Sequence, residues 1–175
     1  MKQRMCSLFL ALVLLLSLAV PAAAAGTLPF TDVKESDWFY SYVKTMYDNK
    51  LVSGTTPTTF SPQDTVTLGE ALKFILNAAG YTAPTTSGKN WASGYYQLAQ
   101  EKGFLNSSWS LGLNDAMNRL QIAELIVNVL GVERKQQTAS PFTDTSDVAA
   151  LILSDHGIFE GTTERDGKTY FYPQR

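Results

Sequence analysis

Three carboxylates, Asp32, Glu35 and Asp37, stand close together near the start of the chain. Paired carboxylates are what glycoside hydrolysis needs. Asp32 and Asp37, however, fall where capping residues belong, just ahead of a predicted helix. That position assigns them to holding backbone rather than to catalysis. Arg119 carries different chemistry. It occupies the first position of a predicted helix, where the free amides and the macrodipole favour an anion over a cation. An anion seated between the guanidinium and the helix end would turn that cost into a gain. A solvated arginine, or a pair with Asp115, is the competing reading. Trp38 and Trp91 each stand at a predicted helix start and could stack on a sugar face, or serve as core or as a hinge between units. Gly54 and Gly161 suit turns with positive φ, and their amides could approach a ligand.

Several chemistries are excluded. The single Cys6 and single His156 cannot supply a Cys/His metal site or a Cys–His nucleophile pair. His156 falls near a helix end and is expected to be exposed. Asp166-Gly167 is a turn dipeptide without the further ligands of a calcium loop. No phosphate-binding glycine loop or nucleophile elbow occurs. The expectation is therefore no catalytic residue, no metal and no cofactor.

The elements that must position these residues follow from length and pattern. The chain has 175 residues, 45% hydrophobic and 17% charged, with a net charge of −2 and a pI near 5.4. That allows one domain. It excludes a disordered chain and a basic protein that neutralises phosphates, so no nucleic acid is expected. Met1 to Ala25 reads as a secretory signal peptide. Lys2 and Arg4 are the charged start, Leu8 to Val20 the apolar stretch, and Ala23-Ala24-Ala25 the cleavage site. The stretch is too short for a comfortable membrane span. Cleavage removes Cys6 and leaves no thiol, so an exported domain over 26–175 must rely on its core.

That domain repeats itself. Phe30-Thr31-Asp32 recurs as Phe142-Thr143-Asp144, two periods of about 56 residues later, with a degenerate middle copy. The units span about 30–80, 89–131 and 142–175. Each reads as helix, loop, helix. In the first, Ser36 or Asp37 is expected to cap a helix running to about Asn49, with Phe39, Val43 and Met46 on one face. The second helix starts at Thr67, carries Leu72, Ile75, Leu76 and Ala79, and stops at Gly80. In the middle unit Trp91, Tyr95 and Leu98 form one face. Ile122, Leu125, Ile126 and Val129 form the other, ended by Gly131. Thr67 with Glu70, and Asn118 with Gln121, are capping boxes. The third unit begins a helix at Val148, Leu151 and Ile152 and completes its loop at Tyr170 to Pro173. Its second helix is missing. Such a helix buries about four large side chains at roughly 1.5–3 kcal/mol each, of the order of a domain's net stability. The chain is then incomplete, marginal, or completed by a partner.

These motifs together resemble the S-layer homology repeat family. The family opens each unit with Phe-x-Asp and an acidic residue beside Trp, here Phe30-Thr31-Asp32 with Asp37-Trp38 and again Phe142-Thr143-Asp144. A Gly-rich loop with Phe-x-Pro follows, here Gly54 to Pro62 and Gly161 to Pro173. A Thr-Arg-Ala-Glu signature opens the second helix, here Thr67-Leu68-Gly69-Glu70 and Asn118-Arg119-Leu120-Gln121. The resemblance covers about Phe30 to Arg175. It implies a mainly α fold, with helix–loop–helix repeats around a pseudo-threefold helical core and the third repeat lacking its second helix. It implies a secreted, non-enzymatic module that binds secondary cell-wall polysaccharide, often pyruvylated, and attaches to the bacterial cell wall or S-layer. The signature arginine lands on Arg119 only; the first unit has Leu68 there. Gly69 replaces the family's alanine at a cost of up to about 1 kcal/mol. Two further readings stand beside the glycan module: an interaction protein whose missing helix comes from another chain of the same type, and a secreted hydrolase using Asp32, Glu35 and Asp37. No membrane partner is expected after signal cleavage.

Overall fold

The computed structural model describes residues 27–86, 90–135 and 139–174. The leader over 1–25 lies outside the described residues. The chain is mainly helical. Its elements are α1 (Tyr40–Asp48), α2 (Leu68–Ala78), α3 (Ser93–Glu101), α4 (Arg119–Leu130) and α5 (Val148–Asp155). A short antiparallel hairpin follows, β1 (Thr162–Thr163) and β2 (Thr169–Tyr170). No described helix is long and apolar enough to cross a membrane.

Local chemistry sets the helix starts. α2 and α4 open with reciprocal caps. Thr67 Oγ1 accepts from the Glu70 amide, while the Glu70 carboxylate accepts from the Thr67 amide. Asn118 and Gln121 do the same. Each cap satisfies two otherwise orphaned donors. α5 is capped by Asp147, which accepts from the Ala149 amide at 2.8 Å. α1 departs from expectation. It begins at Tyr40 with no side-chain cap. Asp37 instead accepts the Lys34 amide at 2.8 Å, and its carbonyl takes the Tyr40 amide. Its carboxylate is spent closing the turn before the helix.

The core lies along α2 and α4. Leu68, Leu72, Leu76, Ala99, Leu125 and Val129 are buried in one cluster that joins α2, α3 and α4. The opposite face of α4 presents Ala123, Leu120 and Ile126 to a second cluster with Phe142, Leu153 and Phe171. α4 is thus covered on two faces, and its polar residues beyond Arg119 (Gln121, Glu124 and Asn128) are confined to one stripe at helical spacing. α3 packs on α2, and α5 packs on α4. Among the described elements α1 packs on no other helix. It closes only over its own loop, with Val43 against Phe30, Val33 and Phe60.

The same backbone lock occurs in the first and third units. Asp32 accepts the amides of Phe60 at 2.9 Å and Ser61 at 2.7 Å. Asp144 accepts those of Phe171 at 2.8 Å and Tyr172 at 2.7 Å. Ser61 and Tyr172 both have positive φ. A Cβ on Gly54 would meet the Phe30 ring at 2.5 Å, and one on Gly161 would meet the Phe142 ring at 2.8 Å. Each loop therefore folds against the aromatic of its own Phe-x-Asp. These glycines are first of all packing residues, since anything larger would displace the ring and strain a left-handed backbone.

Neighbouring units are stitched at the helix starts. The Leu68 amide donates to the Asp115 carbonyl and the Gly69 amide to the Leu113 carbonyl, both at 2.9 Å. The Met117 amide returns to the Val66 carbonyl. Leu120 donates to the Pro173 carbonyl at 3.1 Å. First-turn amides that a helix leaves unsatisfied are here taken by the adjacent unit.

Candidate functional site

Two of the residues singled out for ligand contact meet in one groove. Gly54 and Trp91 both line an open cavity of about 400 Å³. Its walls are the loop at Val52–Thr55, the segment Phe60–Val66, and the side of α2 that carries Glu70, Lys73 and Phe74. Trp91 reaches it from the turn before α3. That turn is fixed by Asn90, whose Oδ1 accepts the Ala92 amide at 2.9 Å. Gly69 lets the turn come close: a Cβ there would stand 2.8 Å from the Ala92 Cβ and 3.1 Å from the Leu113 carbonyl oxygen. The glycine that helix propensity counts as a cost is what lets α2 touch the next unit.

The groove's electrostatics are mixed. Lys73 Nζ lies 5.7 Å from the Trp91 ring centre, within cation–π range, and 3.5 Å from Ser53 Oγ. Of the lining carboxylates, Glu70 is engaged in its cap, accepting from Thr67 N at 2.9 Å and Thr67 Oγ1 at 2.8 Å. Asp64 also lines the wall. Trp91 is 57% exposed, so much of its indole is open to the groove and to solvent. An aromatic face, an ammonium and a carboxylate around an open groove can hold a polyhydroxylated ring bearing a negative group. Lys73 was not found from the sequence. The available signal was that it is the lone charge in α2 after the capping glutamate.

Arg119 lies elsewhere. Its guanidinium stands 4.9 Å from the Phe159 ring and 5.1 Å from the Phe171 ring, against the loop of the third unit. Its charge also helps hold Asp144 ionised. Burial pushes that carboxyl up, but the amides of Phe171 and Tyr172, together with Arg119, outweigh it and lower its pKa. The expectation that adjacent helix amides would join Arg119 in holding an anion is corrected. The Leu120 amide is bonded to Pro173 and the Gln121 amide to Asn118 Oδ1.

Trp38 is not brought to the groove. It is 83% exposed and makes an edge contact with Phe39 at 5.5 Å. Asp32 is held below the ordinary carboxyl value by the Phe60 amide, against a weaker raising effect of burial, and by Ser61. An anion so held does not serve as a general acid. His156, expected to be exposed, is half-buried at the end of α5, with Nε2 3.0 Å from the Glu133 carbonyl. Asp166 and Gly167 form the hairpin turn, with Asp166 accepting from the Lys168 amide and the Tyr170 hydroxyl. Among the described residues no cluster of His, Cys, Asp or Glu could hold a metal.

Residues 29–72 match the family model for the S-layer homology domain. Over 196 residues the chain is 32% identical to an endoglucanase of Bacillus sp. (strain KSM-635), covering 97% of this chain and 20% of the enzyme. It is 34% identical over 109 residues to the middle cell wall protein of Brevibacillus brevis, covering 62% of this chain and 10% of that protein. It is 28% identical over 159 residues to the surface-layer 125 kDa protein of Lysinibacillus sphaericus, covering 83% of this chain and 13% of that one. The chain spans a fifth or less of the length of these relatives.

Proposed function

Residues 29–72 of this chain belong to the S-layer homology family, and on that premise we propose that the chain is an exported envelope module that binds secondary cell-wall polysaccharide non-covalently and attaches to the bacterial surface. The single observation that carries this reading is the groove shared by Gly54 and Trp91. The proposed ligand is an anionic glycan, pyruvylated as the family resemblance implies. Arg119, over Phe159 and Phe171, is proposed as a second contact, and Trp38 as an outlying aromatic. The units over 30–80, 89–131 and 142–175 form one domain in this reading, after a leader over 1–25. We propose no catalysis, because the Asp32 and Asp37 carboxylates are engaged by backbone amides. Co-sedimentation with purified sacculi tests the proposal, using the chain without residues 1–25. Pelleting with intact sacculi, and not with sacculi stripped of secondary polysaccharide, is expected. A folded protein that stays in the supernatant overturns it.

A second reading has one observation in its favour. α3 rests on α2 and α5 on α4, while α1 rests on no described helix and leaves Trp38 and Tyr42 83% and 66% exposed. An interaction protein completed by a partner's helix would cover that face. Helicity that rises with protein concentration would favour it.

A further inference from the structure

We infer that Lys73 is the anion-binding residue of the Trp91 groove and takes the carboxylate of a sugar unit stacked on that ring. The inference deepens the glycan reading and rests on it. The signature position of the first unit is Leu68, an apolar residue 2% exposed and packed into the core, so it offers the groove no charge. Among the described residues that line the groove, Lys73 is the one cation. It is held over the site from two sides, by the face of Trp91 at 5.7 Å and by Ser53 Oγ at 3.5 Å. A lysine ammonium is a compact charge with three donors. A ring face and one distant hydroxyl leave donor capacity for an anionic ligand.

The rest of the groove sets the ligand's class. Glu70 is spent on the Thr67 cap. Asp64 lines the same cavity; it repels a dianion and can accept from sugar hydroxyls. Trp91 supplies an apolar face. A singly charged ring with hydroxyls satisfies all three, and a neutral sugar covers the ammonium without giving it a counter-charge. This arrangement makes the first groove chemically distinct from the Arg119 site. A lysine presents a point charge, whereas an arginine presents a planar fork.

The test compares the wild type with Lys73→Gln and Lys73→Arg in two assays: co-sedimentation with sacculi, and binding to the polysaccharide released from them. The released polymer is used before and after its carboxylates are reduced to alcohols. Circular dichroism checks the fold. We expect Lys73→Gln to weaken binding about tenfold or more, as loss of a charge-assisted hydrogen bond does, and Lys73→Arg to retain most of it. Reduced polymer should bind the wild type at least as weakly as native polymer binds Lys73→Gln, and should no longer distinguish the two proteins. Equal binding by Lys73→Gln and wild type, or indifference of the wild type to carboxylate reduction, overturns the inference and leaves the glycan reading standing. Absence of wild-type binding to intact sacculi overturns the glycan reading itself. Should Lys73→Gln lose its fold, Lys73→Met, which keeps the aliphatic stem and removes the charge, goes through the same assays with the same expected outcomes.

Discussion

The guanidinium of Arg119, the first residue of α4, lies 5.1 Å from the centre of the Phe171 ring in the loop of the third unit. With Phe159 at 4.9 Å, this places a cation between α4 and a loop 40 or more positions later in the chain. A cation at a helix N-terminus is electrostatically unfavourable. Here two aromatic faces and the charge of Asp144 offset that cost. The arginine is therefore part of the seam that joins the second and third units, whatever ligand it also meets.

Replacing Arg119 by Gln should lower stability by about 1–2 kcal/mol, the range of a partly desolvated cation–π contact. Lys at this position should restore only part, because a guanidinium stacks on a ring face and an ammonium does not. Urea unfolding curves measure both. An unchanged midpoint in Arg119→Gln would remove the seam role. A loss of sacculus binding in such a variant is interpretable only beside its unfolding curve.

Acid should weaken the fold through Asp32 and Asp144. Both titrate below the ordinary 3.8 in the folded state, Asp32 mainly through the Phe60 amide and Asp144 through the Phe171 and Tyr172 amides against burial. A depressed folded pKa gives stability that is fully present above the unfolded value and is lost as pH falls through the folded one. The urea midpoint should be flat from neutrality to about pH 5 and should decline below about pH 4. Asp32→Asn should start lower at neutral pH and decline less steeply. Parallel curves for the two proteins would show that Asp32 carries none of the acid sensitivity.

Gly69→Ala should destabilise the protein, against the gain of up to about 1 kcal/mol that helix propensity offers for Gly to Ala. The added methyl would stand 2.8 Å from the Ala92 Cβ, and neither group can rotate away. Thermal unfolding gives the sign directly. A raised transition temperature would mean that the seam between α2 and the Trp91 turn can open without cost.

Lys50→Gly should stabilise the protein. After α1, α3 and α5 the chain turns left-handed at Lys50, Gly103 and Gly157, with φ of 60°, 70° and 67°. Two of these positions carry the residue that tolerates such a backbone, and the first does not. Left-handed geometry costs an L-residue about 1–2 kcal/mol, reduced by the greater chain entropy of unfolded glycine. A net gain of about 0.5–1 kcal/mol in chemical denaturation is expected. A loss would place the Lys50 side chain in a contact of its own.

Much of this molecule was legible in the residues. The helix starts at Thr67 and Asn118 follow from side chains that hydrogen-bond within four residues, so they need no tertiary context. The stops at Gly80 and Gly131 were legible for the same local reason. The mainly helical architecture followed from the spacing of Leu72, Leu76, Leu125 and Val129, all of which are core. The start of α1 was misplaced because Asp37 is equally suited to a cap and to a turn, and the two differ by only a few residues.

The candidate site was half legible. Gly54 and Trp91 were chosen by residue type, but nothing in their spacing said that they share a groove. Lys73 was passed over because a lone lysine on a helix is ordinarily a solvated surface charge. Only packing shows that it faces a tryptophan from the next unit.

The sequence by itself determined what short-range chemistry determines. It set which stretches are helical and the reciprocal caps that open α2 and α4. The tertiary structure decided what depends on approach between distant segments. It turned Gly69 from a propensity defect into a contact surface, engaged the first-turn amides of α2 and α4 with carbonyls of the following unit, and set Arg119 on the rings of Phe159 and Phe171. Backbone amides and aromatic faces are common to every sequence. Which of them meet is fixed only when the hydrophobic faces of α2 and α4 close on their neighbours.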